Sequence, residues 1–415
     1  MRQTLCGLVF LVLALAALPS GGQEWTRFRG PNGTGISAAT SLPAQWTEAD
    51  YRWRVELPGV GHSSPVLWGE KIFVMSADPE DATRYVLCYS ANDGSLLWQR
   101  EFPSSPHHLH ARNTFASGTP AVDAQHVYVA WSTPEKVTLR ALDHQGRQVW
   151  GLNLATWISE HGFGTSPMLF EDLVILSNSQ QGVDLDPGQE AGASFMMAFD
   201  TQTGQLRWHT PRTSSSESYS TPAIYQPEGG EPQLISTSTS EGVFSLDPRT
   251  GQENWQLPEC FRRRVVSSPL VTQHLIFGSN GSGGGGNYLV AVRPEPTPEI
   301  AYTIKTNAPY VPCALAYGDL LFLFFDRGIV SCVDLETGEP HWRERLSDGF
   351  SGSPVFGDGK IYCISDDGTV LVIAADREFQ LLGQNPLGEP TRSTPAIAGN
   401  RLYFRTLSHL MAIGP

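Results

Sequence analysis

A short motif that recurs along the chain restricts its fold more than any other feature of the sequence. Seven Ser-Pro or Thr-Pro pairs each precede an apolar stretch: Ser64-Pro65, Thr119-Pro120, Ser166-Pro167, Thr221-Pro222, Ser268-Pro269, Ser353-Pro354 and Thr394-Pro395. Val311-Pro312 is a weaker eighth member, and successive members are 55, 47, 55, 47, 43, 42 and 41 residues apart. Internal similarity at this period predicts a propeller or a solenoid, in which all 415 residues can belong to one unit.

A second repeated feature closes the unit. Gly precedes Trp by four residues in Gly94/Trp98, Gly146/Trp150, Gly204/Trp208, Gly251/Trp255 and Gly338/Trp342. An Asp often opens the same turn, as in DTQTGQLRW, DPRTGQENW and DLETGEPHW. The Asp caps a tight turn, the Gly accepts a positive φ, and the strand that follows presents the Trp. A Trp at one fixed place in each blade of a propeller can pack against the neighbouring blade.

Three units depart from this pattern. The fifth has Tyr302 near the Trp position, the seventh has Phe379 there, and the eighth contains only three strands. The segment Tyr51–Leu57, which contains Trp53, precedes the first unit and is interpreted as an unpaired outer strand. Pairing this segment into the last blade would close the ring and remove the open sheet edges. We therefore predict an all-β protein in which residues 51–415 form an eight-bladed β-propeller of four-stranded antiparallel blades, closed by an N-terminal strand.

The strand, turn and Trp segments resemble the pyrroloquinoline-quinone (PQQ) repeat family of β-propellers over residues 51–414. The enzymes of that family are alcohol and sugar dehydrogenases that bind PQQ and calcium in a central funnel and use an Asp base. They often carry a disulfide between adjacent cysteines. This sequence has no adjacent cysteines and no CxxCH haem motif, and no residue of the enzymes' site can be matched. PQQ and calcium thus remain alternatives, and no cofactor, catalytic residue or metal ligand is assigned.

The N-terminal segments predict an exported protein. Residues 1–22 are interpreted as a secretory signal peptide, because Arg2 is followed by an apolar run from Leu8 to Leu18 and then by small residues. That run is too short to span a bilayer, so we expect no membrane span after its removal and a periplasmic or extracellular location. Residues 23–50 include WTRFRGPNGTGIS, which resembles an N-terminal motif of bacterial PQQ-like repeat proteins. We interpret them as a strap lying over a few blades.

Charge and cysteine content narrow the possible partners. The formal net charge is -14, with 28 Lys and Arg against 42 Asp and Glu, which argues against nucleic acid as a partner. Five cysteines follow the signal, and their odd number and wide spacing provide no zinc or redox motif. Cys88, Cys332 and Cys363 are expected to pack as small apolar side chains inside strands.

The residues just before each Ser/Thr-Pro pair are expected to line a funnel at one face of the ring. The predicted lining is His62, Arg112, Asn113, His161, Glu217, Tyr219, Arg263, Arg264, Tyr310, Phe350 and Arg392. This set is polar, aromatic and mixed in sign. It suits a small polar ligand, a glycan or a peptide, and a solvated mouth without a dedicated ligand is the alternative.

Three other segments are candidate sites. Five histidines, namely His62, His107, His108, His110 and His161, could gather a transition metal, with a solvated loop as the alternative. The segment Asp184–Gly188 with Glu190 resembles a calcium loop but lacks the third regular oxygen ligand and the bidentate Glu. The run Gly281–Gly286 is not followed by a helix with Lys, so we predict a mobile loop and not a phosphate cradle.

These observations leave three functional hypotheses. The first is a non-catalytic extracytoplasmic scaffold that binds protein partners or ligands in the cell envelope. It is favoured because the chain resembles the propeller lipoprotein class of the outer-membrane β-barrel assembly machinery, which uses this repeat without a quinone. The second is a PQQ-dependent dehydrogenase. The third is a glycan-binding module, supported by the aromatic and Arg content of the predicted funnel. The Trp residues at Trp53, Trp98, Trp150, Trp208, Trp255 and Trp342 are assigned a structural role.

Overall fold

A computed structural model describes residues 24–185 and 187–415, and the predicted signal peptide lies outside these residues. Eight antiparallel sheets follow one another along the chain, and each has four strands, from an inner strand A to an outer strand D. The first sheet has a fifth strand, Glu24–Trp25, beside its strand A, and the last sheet takes its strand D from a segment before the first. The prediction of an all-β, eight-bladed propeller is therefore confirmed. The helices of the described part are single 3-10 turns, at Pro31–Gly33, Glu48–Asp50 and Pro258–Cys260, and none is long or apolar enough to cross a membrane.

Each blade is built from its strands in the order A to D. Blade 1 has Val66–Trp68, Lys71–Ala77, Arg84–Ser90 and Leu96–Phe102; blade 2 has Ala121–Val122, His126–Thr133, Lys136–Asp143 and Gln148–Asn153; blade 3 has Met168–Phe170, Leu173–Asn178, Ser194–Asp200 and Leu206–Arg212; blade 4 has Ala223–Tyr225, Gln233–Ser238, Gly242–Leu246 and Glu253–Leu257. Blade 5 has Leu270–Val271, Ile276–Asn280, Tyr288–Arg293 and Glu299–Ile304; blade 6 has Leu315–Tyr317, Leu320–Phe324, Ile329–Asp334 and Pro340–Arg345; blade 7 has Val355–Gly357, Lys360–Ile364, Thr369–Ala374 and Leu381–Pro386. Blade 8 has Ala396–Ala398, Arg401–Arg405, His409–Ile413 and, as its strand D, Tyr51–Glu56.

The ring closes through the strand at Tyr51–Glu56, as the sequence predicts. This strand pairs antiparallel with His409–Ile413, and Trp53 lies opposite Ala412. The last blade therefore takes its outer strand from a segment that precedes the first blade. Such closure satisfies the hydrogen-bonding edge of blade 8 and fixes the count at eight.

Adjacent blades are joined by an aromatic side chain of one blade that lies on a glycine of the next. Trp53 of blade 8 packs on Gly94 of blade 1, and a Cβ built on Gly94 would lie 2.7 Å from the indole. The same contact joins Trp98 to Gly146, Trp150 to Gly204, Trp208 to Gly251 and Tyr302 to Gly338. Each glycine has a φ between 69° and 78°. Glycine is therefore required at these positions for two reasons: the turn has a left-handed backbone, and the aromatic ring leaves no space for a Cβ.

The same aromatic side chains also donate a hydrogen bond across the blade interface. The indole N–H of Trp53 donates to the carbonyl of Ala91, and Trp98, Trp150, Trp208 and Trp342 donate to carbonyls of the corresponding turns in the next blade. In the fifth blade the hydroxyl of Tyr302 donates to Leu335. Trp255 departs from the pattern, because its indole donates to Gln233 of its own blade.

The seventh blade corrects one prediction. Its Trp position is occupied by Gly383, which lies opposite Val372 in the ladder, and not by Phe379. Phe379 instead packs edge-on against Trp342, with ring centroids 5.1 Å apart. Trp46, from the segment before the ring, stacks on Phe404 of blade 8 with centroids 5.5 Å apart. A tryptophan from a distant part of the chain thus fills the interface between blades 7 and 8.

A belt of small polar side chains joins the inner ends of the eight blades. The belt consists of Ser64, Thr119, Ser166, Thr221, Ser268, Cys313, Ser353 and Thr394. In the described chain, seven of these side chains accept a hydrogen bond from the backbone N–H of the belt residue in the preceding blade, at 2.9–3.3 Å. These buried N–H groups point out of the sheet, so the neighbouring side chain provides their acceptor.

The belt also corrects the repeat register at the sixth blade. Cys313 accepts from the N–H of Ser268 and donates its own N–H to Ser353, so it occupies the Ser/Thr position there. The assignment to Val311-Pro312 is therefore wrong by two residues. The five cysteines of the described chain are free and buried, and Cys88, Cys332 and Cys363 lie in the apolar clusters expected for them.

Two glycine substitutions in blade 1 test the interface between blades. Both Gly94→Ala and Gly69→Ala place a side chain at positive φ, which costs about 1–2 kcal/mol. A Cβ at Gly69 meets no atom within 4 Å, whereas one at Gly94 meets Trp53. We expect Gly94→Ala to destabilise the protein by a further 1–3 kcal/mol or so, because the indole must shift. Thermal unfolding of the two variants measures the difference, and equal melting temperatures would contradict the interface.

Candidate functional site

The segment before the ring crosses the inner ends of several blades. The strand Glu24–Trp25 pairs with blade 1, and the carbonyl of Thr26 accepts from Val122 of blade 2. The guanidinium of Arg27 then donates to the carbonyl of Pro222 at 2.6 Å, next to the inner strand of blade 4. Through these contacts the chain crosses the axis of the ring. It does so on the side of the belt where the inner strands of the blades begin.

The crossing continues to the opposite side of the ring. Arg29 is fully buried and donates to the carbonyl of Ala314 in blade 6 at 2.8 Å. Ile36 then forms a parallel bridge with Phe356 of blade 7. Phe28, which lies between the two anchoring arginines, points into the space enclosed by the belt. The axial channel is therefore closed on one side, and Phe28 forms its floor.

Above this floor lies a cavity of about 400 Å³. Its wall contains the eight belt residues. Each link, the segment that joins one blade to the next, adds the residue two positions before its belt residue: His62, Ser117, Gly164, Tyr219, Val266, Val311, Ser351 and Arg392. Side chains two apart in an extended segment share one face, so this spacing follows from the backbone. The volume suits a small molecule or the end of a chain.

The structure brings most of the predicted lining residues together. His62, Arg112, Asn113, His161, Tyr219, Arg264, Tyr310 and Arg392 line the cavity. Three predicted residues do not: Glu217 is buried behind the wall, Phe350 is buried against Phe324, and Arg263 is exposed outside the cavity. The last of these bonds to Ser282 instead.

Other lining residues escape prediction from the sequence. Phe28 comes from the strap, and Asp326 and Arg327 come from a turn of blade 6. Ser282 and Gly283, in the glycine run interpreted above as a mobile loop, also face the cavity, and Gly283 accepts a hydrogen bond from Arg327. No local signal marks these residues, because each reaches the cavity from an element remote in sequence. The belt and its partner two residues earlier could have been found from the repeat.

One side of the cavity carries a charge-balanced relay. Glu217 is fully buried and accepts from His161 Nδ1 at 2.9 Å, and Arg264 contacts the same carboxylate oxygen at 3.6 Å. Arg264 also donates to His161 Nε2 at 2.9 Å. Since a guanidinium can only donate, Nε2 is the acceptor and the proton of the neutral imidazole is on Nδ1. Burial raises the pKa of Glu217, but His161 and Arg264 outweigh it and lower that pKa overall.

The other side of the cavity is cationic. Arg112 pairs with Asp366 at 2.5 Å, but in the described chain Arg392 forms no ion pair. His62 lines the same cavity, and the buried Arg405 donates to the carbonyl of Ser63, the residue next to His62. Burial, followed by the charges of Arg405, Arg392 and Arg112, lowers the pKa of His62 to about 3. The imidazole is therefore neutral at pH 7, and the arginines remain charged.

The carboxylates of this site do not fit the calcium and quinone pair of the resembling dehydrogenases. Calcium requires six to eight oxygen ligands, several of them carboxylate. Both oxygens of Asp326 accept backbone N–H groups, from Tyr310 and Val311, and Glu217, behind the wall, offers only Oε2 because its Oε1 is engaged by the relay. Within the described residues no cluster of three His, Cys, Asp or Glu could hold a metal. Asp186, in the segment resembling a calcium loop, lies outside the described residues.

The five histidines of the predicted metal site do not share one. His161 stacks on His110 with centroids 4.7 Å apart, but both of its nitrogens are engaged by Glu217 and Arg264. His107 packs against Phe115 and bonds to Ser105. A metal ion bound to His161 Nε2 would have to displace Arg264 from that nitrogen. The ion would then lie close to the positive charge of Arg264, which would repel it.

The fold and its funnel define an eight-bladed propeller of the PQQ-repeat class. A family model of that class, described as outer membrane protein assembly factor BamB, matches residues 82–323 and 306–414. The chain therefore belongs to this family. No curated protein matches the sequence.

Solved structures of low sequence identity share the fold. BamB from Moraxella catarrhalis is 16% identical, with a TM-score of 0.62 over 91% of this chain and 98% of that one. A quinohemoprotein alcohol dehydrogenase from Comamonas testosteroni is 12% identical, with a TM-score of 0.69 over 94% and 80%. A europium-containing methanol dehydrogenase is 12% identical, with a TM-score of 0.67 over 93% and 90%. The likeness spans an assembly factor and two dehydrogenases and shows the architecture alone.

The buried His62 makes stability depend on pH. Its pKa falls from 6.5 to about 3 on folding, so between these pH values the unfolded chain binds a proton that the folded chain does not. Acidification from pH 7 to 4.5 should therefore cost about 2–3 kcal/mol through this residue. We expect His62→Gln to lose correspondingly less stability over that interval in urea unfolding followed by tryptophan fluorescence. His108→Gln, at an exposed histidine, serves as the control, and equal losses in all three proteins would contradict the prediction.

Proposed function

We propose that this protein is a non-catalytic extracytoplasmic propeller that acts as a binding scaffold in the cell envelope, with the funnel as its receptive site. The observation that carries the proposal is the wall of the funnel. It presents fixed arginines and hydroxyls, while the one carboxylate among its described residues, Asp326, already accepts two backbone N–H groups. Such a wall can recognise a group, but it lacks the free carboxylate base and the set of metal ligands that the dehydrogenases of this family use.

Family membership agrees with this proposal. BamB of Moraxella catarrhalis shares the ring over nearly its whole length. The predicted signal peptide supports export, and an exported disc with a closed floor offers one open face to partners. We infer that proteins of the envelope, or ligands that they present, dock at this face.

The glycan alternative has less support from the geometry. Sugar-binding sites use an aromatic face that is free to stack. The hydroxyl of Tyr219 lies 3.1 Å from Ser159 Oγ, and its ring packs toward Gly164 and Trp157. Arg263, the other residue of that hypothesis, is outside the cavity. The ring of Tyr219 is therefore part of the cavity wall, and its face is not free to stack on a sugar.

Dye-linked oxidation assays test the absence of catalysis. The purified mature protein is incubated with PQQ and Ca²⁺ and supplied with primary alcohols or aldose sugars. We expect dye reduction to stay at the level of the protein-free mixture, because no cluster of three His, Cys, Asp or Glu among the described residues could hold Ca²⁺. Turnover that requires both PQQ and Ca²⁺ would overturn the proposal.

Capture from envelope extract tests the receptive face. Wild-type protein, Arg112→Glu at the funnel mouth and Arg52→Glu on the outer strand of blade 8 are immobilised at equal density. Neither side chain belongs to the buried core, and because Arg112→Glu also removes the ion pair with Asp366, the melting temperatures of both variants are compared with that of wild type. We expect the proteins retained by wild type and by Arg52→Glu to fall at least fivefold or so with Arg112→Glu, because the mouth loses a cation and gains an anion. Equal retention by all three would remove the funnel as the docking site.

A further inference from the structure

The charges in the funnel are distributed unevenly between its two sides. On one side Arg264 is matched by the buried Glu217 and by Glu160. The opposite side carries Arg112 and Arg392, and its nearest carboxylate, Asp366, is bound to Arg112 alone. Positive charge is thus neutralised around blades 3 to 5 and left in excess around blades 7, 8 and 1.

Polar atoms on the cationic side are buried without partners. In the described chain Arg392 Nε and His62 Nδ1 are both inaccessible and have no hydrogen-bond partner. Arg405, directly behind them, is fully buried and donates only to the carbonyls of Ser63 and Leu407. A buried polar group that is left unbonded costs free energy, and so does the burial of a cation that forms no ion pair. The site nevertheless places the guanidinium groups of Arg112, Arg392 and Arg405 near the imidazole of His62.

These groups converge from separate elements on one place in the wall. His62 lies in the link between blades 8 and 1, Arg112 in the next link and Arg392 in the link between blades 7 and 8. Ser351, which accepts from Arg112 at 2.8 Å, adds a hydroxyl from the link before blade 7. All four line the same cavity, whose floor is the ring of Phe28.

We propose that His62, Arg112 and Arg392 form a binding subsite for the oxyanion group of a small molecule, a carboxylate or a phosphate. The planar forks of the two arginines match the oxygens of such a group, and it would supply the acceptors that Arg392 Nε and His62 Nδ1 lack. The rest of the molecule lies over Phe28 and Val266, so the preferred ligand has an apolar body. This inference rests on the proposed role of the funnel as a binding site and specifies its ligand class.

The net charge of the protein sharpens the selectivity of this subsite. With a formal charge of -14, most of the surface repels anions. The funnel is lined by four arginines and one carboxylate, Asp326. Anions that approach the molecule are therefore attracted at the funnel mouth and repelled elsewhere.

Calorimetry and thermal melting with two probes test the proposal. Citrate presents carboxylates, inorganic pyrophosphate presents phosphates, and sodium chloride at matched ionic strength controls for screening. We expect saturable binding of at least one probe and a rise in melting temperature that chloride does not produce. The probe that binds more tightly identifies the source of the oxyanion.

Variants locate the site. Arg392→Gln should weaken binding of the preferred probe at least tenfold or so, whereas Arg52→Gln, outside the funnel, should not change it. Arg112→Gln, whose side chain is half-exposed, gives a second reading should Arg392→Gln fail to fold. Binding that is absent for both probes, or that is unchanged in Arg392→Gln and Arg112→Gln, would overturn the subsite.

The outcomes separate this inference from the proposed function. Failure of both probes together with retention of envelope proteins that depends on Arg112 would overturn the oxyanion subsite and leave the scaffold role standing. Saturable oxyanion binding together with turnover that depends on PQQ and Ca²⁺ would overturn the non-catalytic role and leave the subsite standing.

Discussion

The contact of an aromatic ring with a left-handed glycine of the next blade is the interaction on which the ring depends. Trp53 on Gly94 is one instance, and there the indole also donates to a carbonyl of the same turn. Each contact therefore fixes both the distance and the direction between two blades. The contact recurs at five of the eight interfaces, where it sets the angle between blades, and that angle sets the number of blades. The width of the central channel, and hence the size of the cavity, follows from that number.

The sequence predicts the features of the fold that depend on local pattern. The turn and its Trp recur at a fixed spacing, and Tyr51–Leu57 carries the same alternation, so the blade count and the ring closure could be derived without coordinates. Where the local marker is lost, prediction fails. The sixth blade has no Ser-Pro pair, and only the hydrogen bonds to Ser268 and Ser353 show that Cys313 takes its place.

The candidate site is predicted less completely, for a physical reason. A link residue can be assigned to the funnel from its distance to the belt, and this places His62, Tyr219 and Arg392 correctly in its wall. For link residues at other distances from the belt, the direction of the side chain depends on contacts between neighbouring links. Arg263 and Arg264 are neighbours in sequence, yet one faces solvent and the other enters the relay. Phe28, which forms the cavity floor, and Trp46, which fills the interface between blades 7 and 8, belong to a segment outside the repeats. The partners of this segment lie hundreds of residues away, and the repeat pattern cannot indicate them.

The route of residues 25–46 has a consequence for the order in which the molecule assembles. Arg29 meets Ala314, 285 positions further along the chain, and Trp46 completes an interface that needs Phe404. Synthesis delivers the strap first, but its contacts with blades 4, 6, 7 and 8 can form only after those blades have formed. Beyond residues 24–26, which meet blades 1 and 2, the strap is thus the last segment to dock. Until it does, the disc is an open tube with a gap between two blades, and the binding cavity has no floor.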